Sequence, residues 1–403
     1  MNQVEVCNEP EPGQALQCQR HLFSIPAEHC WLNAAYMGPL PVPVQEAGVQ
    51  AIRQRAFPLA IKPDDFFSPA ERVRQLFGQL VNADPESIAI IPTTAYGTAI
   101  VAANMSPRAG QNVVMLAEQF PSNVHPWKTW VEHGVEMRFV SPPDGPWAAS
   151  ESEAGRTTRW NDALIAAIDG NTALVTIEQA HWADGSLFDL VRIGECCRAV
   201  GAVYVIDATQ TAATMILDCR RIRPDALIVH SYKAMLCNYG LGFVVLSNQF
   251  ANGKPLENSW LMRAGSDDFS RLLPYQEEYA AGMRRFDSSL RGNPSLIGML
   301  EVSCRLLLQW QPDRIRQYLL GIERQFVDRV RGLGFQVADE ADRAANVFGL
   351  ALPGGMDSRA VASALAEKNI HVSVRGPAIR VSPHVYNDES DLMKLADALQ
   401  TLV

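Results

Sequence analysis

Seven short apolar runs punctuate the chain between Ser87 and Leu246: Ser87–Ile91, Asn112–Leu116, Glu136–Val140, Thr172–Ile177, Ala202–Ile206, Asp225–Val229 and Leu241–Leu246. Each is rich in Val, Ile, Leu or Ala rather than alternating with polar residues. Strands buried on both faces read that way, so the pattern predicts a mostly parallel sheet covered by helices. Helical patterns fall between the first six runs, among them Thr94–Met105, Asn161–Ile168 and Leu190–Val200, and a loop carrying Lys233 joins the last two. Upstream, Ser68–Val81 sets Val73, Leu76, Phe77 and Leu80 on one helical face. His29–Asn33 reads as a short extended piece before a Gly38-Pro39-Leu40-Pro41 turn.

The character changes after Ser247. Residues Asn248–Gly282 are loop-rich, and two long helical patterns follow, the second with Ile315, Leu319, Ile322 and Phe326 as an apolar stripe. The end reads strand, helix, strand, strand, helix over Asn346–Leu352, Ser358–Glu367, His371–Val374, Ile379–Ser382 and Glu389–Leu399. The expectation is an α/β chain with a flexible tail over residues 1–20, a large domain over 21–282 and a smaller α+β domain over 283–403. The segment 21–45 is a candidate to pack on the smaller domain.

Composition narrows the function classes. With 403 residues, 47% hydrophobic and 20% charged, the chain is of ordinary globular composition and long enough for two or three folded units. A net charge of -9 and a pI near 5.5, with no long basic run, weigh against nucleic acid as a partner. No apolar run approaches the roughly 18 residues that span a bilayer, and Met1–Gln19 lacks the features of a secretory leader, so a cytoplasmic protein without membrane partners is expected. Eight cysteines occur without a C-x-x-C and eight histidines without an H-x-x-x-H, so free thiols and no intrinsic metal are expected.

Ligands of such sheets bind at the carboxyl ends of the strands. After the first run, Thr93-Thr94-Ala95 opens a helix, where a Thr caps free N–H groups or the same groups hold a phosphate. After the fifth comes Asp207, either a cap or a buried acid in need of a cation. After the sixth, Lys233 is a surface residue or a desolvated amine fit to bond a carbonyl. No G-x-x-x-x-G-K-[ST] loop exists and no G-x-G-x-x-G follows a strand, so nucleotide cofactors, and with them a nicotinamide oxidoreductase, gain little support. Together, a phosphate-type helix start, Asp207 with Gln210 three residues on, and Lys233 26 residues after Asp207 fit one cofactor, pyridoxal 5'-phosphate.

At these residues the sequence resembles the class V aminotransferase family of fold-type I pyridoxal-phosphate enzymes, which includes cysteine desulfurases, kynureninases and isopenicillin N epimerase-like proteins. Thr93-Thr94-Ala95, Glu118–Asn123, Asp207–Gln210, Ser231-Tyr232-Lys233 and Ile379–Asn387 carry the resemblance, which runs from about Trp31 to the end. It implies a large domain with a seven-stranded sheet and a smaller α+β domain. It implies that Lys233 bonds the cofactor aldehyde and shuttles the α-proton, that Asp207 pairs with the ring nitrogen and Gln210 with the ring oxygen, and that Phe120 stacks on the ring. It further implies that Thr93, Thr94 and Ala95, helped by His230 and Tyr232, take the phosphate. Trp182, or its neighbour His181, stands where desulfurases carry an Asn. Arg380 would clamp the substrate carboxylate, assisted by Asn33, and Asn293 sits where the family contributes a group from the second subunit, which implies a homodimer with shared sites.

The segment Val372–Arg380 is short and free of cysteine, and Cys237 sits on the wrong loop for a desulfurase nucleophile, so a persulfide-forming desulfurase is not expected. The resemblance implies an enzyme that acts on a small α-amino acid through a Cα carbanion, by transamination or β-elimination. An epimerase of the same family and a non-catalytic binding protein on the same scaffold are the alternatives. His181, Tyr96 and Tyr239 are candidate second proton donors, and Tyr36, Met37 and Tyr275 are candidates to line a side-chain pocket.

Overall fold

A computed structural model of the chain describes residues 15–142 and 155–403. After a two-residue strand, β1 (Cys30–Trp31), the seven apolar runs form one sheet: β2 (Ile88–Ile91), β3 (Asn112–Leu116), β4 (Glu136–Val140), β5 (Thr172–Glu178), β6 (Val203–Asp207), β7 (Ala226–His230) and β8 (Gly242–Leu246). Their order is β2-β8-β7-β6-β5-β3-β4, and β8 alone runs antiparallel to its neighbours. This is the mostly parallel seven-stranded sheet that the apolar runs predict.

Successive residues of these strands feed opposite faces. Ile88, Ile90, Val175, Ile177, Leu227 and Val229 enter one apolar core, whereas Ala89, Ile91, Leu174, Ala226 and Ile228 enter another. Helices cover both faces: α1 (Val42–Arg55), α2 (Ser68–Val81), α3 (Thr94–Ala103), α4 (His125–Lys128), α5 (Arg156–Ala166), α6 (Leu190–Val200) and α7 (Cys219–Ile222). The bounds of α2 coincide with its apolar pattern, and Asn82 ends it in the left-handed region at φ 48°.

Two sequence expectations change here. The run that becomes β4 is not buried on both faces: Glu136 and Phe139 are exposed, because β4 is an edge strand. The connections β3–β4 and β6–β7 hold single-turn helices rather than full ones. Pro121 and Pro126 interrupt the first, and Arg223 at φ 54°, before Pro224, ends the second.

The opposite edge, β2, is covered by side chains. Asp287 accepts from Ile90 N at 2.8 Å, Ser288 N donates to Ile90 O at 2.8 Å, and Arg74 from α2 donates to both Ile88 O and Asp287. Edge groups satisfied in this way cannot template a further strand.

Beyond the sheet lie α8 (Pro294–Trp310), α9 (Pro312–Gly332), β9 (Phe348–Ala351), α10 (Ser358–Glu367), β10 (Ile370–His371), β11 (Ser373–Arg375), β12 (Ala378–Val381) and α11 (Glu389–Gln400). Strands β11, β12 and β9 form an antiparallel sheet whose inner residues Ile379, Val381, Phe348 and Leu350 share a core with Phe326, Leu365, Leu392 and Leu395. The apolar residues Ile297, Leu300, Cys304 and Leu307 of α8 lie in the same core as α2. Strand β1 pairs in parallel with β10, and Leu32 bonds to both His371 and Ser382, so the N-terminal segment is threaded onto the C-terminal sheet.

Of the expected flexible tail, residues 1–14, Cys7 among them, lie outside the described residues. Residues 15–20 are held to the fold at points: Leu16 is buried, and Arg20 pairs with Asp391 at 3.1 Å, while Ala15 and Gln17 stay exposed. The seven described cysteines are free thiols. No helix among the described residues is long and apolar enough to cross a membrane.

Candidate active site

The carboxyl ends of β5, β6 and β7 and the start of α3 open on one cleft, lined among others by Thr93, Thr94, Ala95, Phe120, Trp182, Asp207, Gln210, His230, Tyr232 and Lys233. Ten of the fourteen site residues expected from the sequence therefore meet in one place. They come from segments 140 residues apart, from Thr93 to Lys233, and the parallel strands bring them together because each chain leaves the sheet at the same end.

Helix α3 starts directly after β2. Thr93 caps it by accepting from Tyr96 N at 3.1 Å. The amides of Thr94 and Ala95 precede the first intrahelical bond, so they face the cleft with the positive end of the helix. Gly97 lets the helix close on the sheet: a Cβ there would meet side chains of Ile228 and Ile91 at 2.9 Å. Thr94 Oγ1 lies 3.2 Å from Thr209 Oγ1, which accepts from His230 N at 3.1 Å. The His230 ring is packed edge-on by Tyr232 and Tyr239 at 4.6 and 4.5 Å. Burial, then the nearby Lys233 charge, lowers His230 to about 4, so the imidazole is neutral; burial raises the Tyr232 phenol to about 12, so it keeps its proton.

Asp207 ends β6 and is buried. Its Oδ1 accepts from Thr209 N at 2.8 Å and its Oδ2 from Asn123 Nδ2 at 3.0 Å. Lys233 is also buried, with Nζ 4.9 Å from the Phe120 ring centre and 5.2 Å from that of Tyr232. Among the described residues its amine has no hydrogen-bond partner. Burial, then Arg380, pushes it down to about 8 against the upward pull of Asp207 and Glu178. The N-terminal segment braces this loop: Gly38 N donates to Tyr232 O at 3.0 Å, and a Cβ on Gly38 would clash with Lys233 O.

The other four expected residues do not line the cleft. Arg380 is fully buried behind Trp182 and donates Nη1 to Trp182 O at 2.8 Å, while its Nε and Nη2 have no partner among the described residues. Asn33 accepts from Ser373 Oγ at 2.7 Å, on the same hairpin as Arg380. His181 is turned away, 3.3 Å from Asp184 Oδ1 and packed on Trp160, because its neighbour Trp182 takes the cleft side. Asn293 caps α8 by accepting from Ser295 N and Leu296 N, beside Ala51 and Ile52 and apart from the cleft. Of the candidate second donors only Tyr239 reaches the cleft. Tyr36, Met37 and Tyr275 are exposed and line none of it; Tyr36 N and Met37 N both bond to Asn33 O in a local turn.

Sequence reasoning named no site role for Ser122, Asn123 and Thr209, although they lie in stretches that carry the resemblance, and passed over Glu178. Glu178 is the last residue of β5, and the strand-end rule that picks out Asp207 picks it out equally. It is buried; Oε1 accepts from Phe120 N at 3.0 Å and Oε2 from Trp182 N at 2.6 Å. One carboxyl thus holds the two aromatics that meet edge-to-face over the cleft at 5.7 Å.

The sequence profile of the aminotransferase class-V family matches residues 64–395. The chain belongs to the aminotransferase class-V family. That family is pyridoxal-phosphate dependent. Two relatives span nearly the whole chain. "Uncharacterized aminotransferase YcbU" of Bacillus subtilis (strain 168) is 24% identical over 94% of this chain and 96% of its own length. "Isopenicillin N epimerase" of Streptomyces clavuligerus is 24% identical over 92% and 94%. In structure the chain is similar to the apo cysteine desulfurase of Thermococcus onnurineus NA1, with a TM-score of 0.79, 16% identity and coverage of 96% of this chain and 99% of that one. The fold is therefore fold-type I, as the sequence resemblance implies.

Proposed function

We propose that this class-V family member binds pyridoxal 5'-phosphate on Lys233 and labilises the α-proton of a small amino acid or derivative, for transamination or β-elimination. The observation that carries this reading is a buried lysine, without a hydrogen bond among the described residues and held near 8, in one cleft with a strand-end carboxylate and an open helix start.

The residues present fit the cofactor. Among the described residues the Gln210 Oε1 atom is buried without a partner, as are Nε and Nη2 of Arg380 behind Trp182, so polar atoms in and beside the cleft are left for a ligand. Thr93, Thr94 and Ala95 would hold the phosphate through hydroxyl and amide donors, with the Tyr232 phenol beside them. Asp207 would hold a proton on the ring nitrogen, and Gln210 would meet the ring oxygen. Bound there, pyridoxal phosphate supplies an aldehyde for the substrate amine and a ring that draws electrons from Cα.

The chain's own side chains do the rest. Lys233, its amine lowered by burial to about 8, takes the Cα proton and returns it as a general base. Arg380, assisted by Asn33, would orient the substrate carboxylate through Nε and Nη2 once Trp182, which now covers it, gives way. Phe120 and Trp182, fixed through Glu178, wall the cleft from water.

The reading is of chemistry other than persulfide formation: Cys237 is buried with its thiol pushed up to about 12 by burial, and β11 and β12 join through a short turn without cysteine. A homodimer fits the exposed apolar residues Ile52 and Leu290 beside the Asn293 cap, with Phe57 and Leu59 also exposed just after α1, which a second copy would cover. Epimerisation is the second reading; Tyr239 on the cleft wall is the donor it would use.

Purified protein should be yellow, and borohydride should fix the cofactor mass on the peptide carrying Lys233. A screen of amino acids then separates the outcomes: pyridoxamine phosphate for transamination, pyruvate with ammonia for elimination. A colourless protein that takes up no cofactor overturns the proposal.

A further inference from the structure

Two arginines of the β11–β12 hairpin converge on Trp182. Strand register pairs Arg375 with Ala378 and Ser373 with Arg380, so Arg375 and Arg380 are diagonal neighbours on one face. The opposite face carries Ile379 and Val381 into the apolar core. The Arg375 guanidinium lies 4.9 Å over the Trp182 ring centre, while Arg380 Nη1 donates to the Trp182 carbonyl at 2.8 Å. Trp182 in turn lines the cleft that holds Lys233.

Neither guanidinium is neutralised. Among the described residues no carboxylate lies within ion-pair distance of either. Arg375 is half-buried; it spends one donor, Nη1, on Val374 O at 2.6 Å, and its buried Nε has no partner among the described residues. Arg380 leaves Nε and Nη2 unpaired. Glu178, whose charge bears on Arg380, has both oxygens engaged by backbone amides. Burial, then the Arg375 charge, pushes Arg380 down to about 9, so the two cations repel across the site. Buried unpaired donors and like charges are costly, and they persist where a ligand satisfies them.

One substrate α-carboxylate answers Arg380. It leaves Arg375 unanswered. We infer that Arg375 forms a second anion subsite, and that the substrate is an amino acid whose side chain ends in a second acidic group. This rests on the reading of Arg380 as the α-carboxylate clamp.

The test titrates the holoenzyme with glutarate and, as its singly charged counterpart, valerate, by calorimetry. Neither carries an amine, so binding is read without turnover. Glutarate should bind about tenfold tighter or better, the effect of one charge-assisted hydrogen bond. Arg375→Gln should bring the glutarate preference down to about one, and Arg375→Lys should keep part of it. Arg380→Gln should weaken both ligands, which checks the clamp separately. A wild-type protein that does not discriminate overturns the subsite. So does an Arg375→Gln variant that keeps the preference, since Arg375 then only supports Trp182. Failure of the cofactor reading shows up elsewhere, as a colourless protein without a borohydride adduct, and the same titration of that protein as purified then decides on Arg375.

Discussion

Glu178 and Asp207 are register partners: they are the last residues of the neighbouring parallel strands β5 and β6, and their Cα atoms pair across the ladder. Two buried carboxyls therefore stand side by side at the floor of the cleft, with distinct tasks. Asp207 faces the cleft with Thr209 N and Asn123 Nδ2 as donors. Glu178 turns to the backbone of Phe120 and Trp182. Burial, with the Asp207 charge adding to it, raises Glu178 to about 7.

That value has a sign that can be measured. The unfolded chain releases this proton near 4.5, the folded protein only near 7. Between those values the folded state holds the extra proton, so the Glu178 contribution to stability is present below 4.5 and is lost as pH rises through 7. Glu178→Gln should flatten the fall in urea-unfolding free energy across this window, seen as wild type minus variant. Glu178→Ala leaves two buried amides unsatisfied and should cost about 2–4 kcal/mol. An unchanged slope in Glu178→Gln would show that the carboxyl does not titrate there.

Lys233 should make the cofactor-free protein less stable than it could be. Its folded value near 8 lies below the unfolded 10.5, so the charged amine penalises the fold at pH 7, and the penalty fades as pH climbs from 8 to 10.5. Lys233→Met should stabilise the cofactor-free protein at pH 7 by on the order of 2–3 kcal/mol, with the gain shrinking at pH 10. Thermal unfolding at the two pH values checks both parts. Capture of pyridoxal phosphate by the wild type should quicken up to about pH 8 and then level off, because the neutral amine is the nucleophile.

Asp207→Asn should separate folding from turnover. The new amide still accepts from Thr209 N, and Asn123, whose Oδ1 is buried without a partner, can flip its amide to accept the new donor. The melting temperature should change little. Turnover should fall by about 10²–10³-fold, the usual effect of removing a preorganised charge from an active site. Equal losses of stability and activity would instead mark Asp207 as structural.

The buried pair of Arg74 and Asp287 holds the β2 edge. Arg74 Nη2 donates to Asp287 at 2.9 Å, Arg291 Nε lies 3.0 Å from the same carboxylate, and both members of the Arg74 pair are fully buried. Arg74→Met should destabilise by about 3–5 kcal/mol because it leaves a buried carboxylate short of its partner. Asp287→Asn on top of it should recover part of that loss. Urea denaturation of the single and double variants reads the coupling directly.

Much of this was legible in the chain. Helix α2 and strands β3 and β4 have the bounds that their apolar patterns predict, since a stretch packed against a core leaves a period in its residues. Asp207 and Lys233 were legible because each follows such a run. Glu178 obeys the same rule and was within reach. The choice between His181 and Trp182 was not, since an irregular stretch has no period to say which of two adjacent side chains faces the cleft. The exposure of β4 was not legible either, because an edge position depends on which strands pair with which.

By itself the sequence determined the strands, their common exit side and the chemistry waiting at each exit, because burial of a strand writes hydrophobicity into consecutive residues and its end is marked by the first polar one. Only the tertiary structure decided that Glu178 stands beside Asp207, and that Arg375 and Arg380 reach Trp182 across nearly two hundred residues. Ladder register and the docking of a distant hairpin are set by packing between remote segments, and such packing leaves no local mark in the order of amino acids.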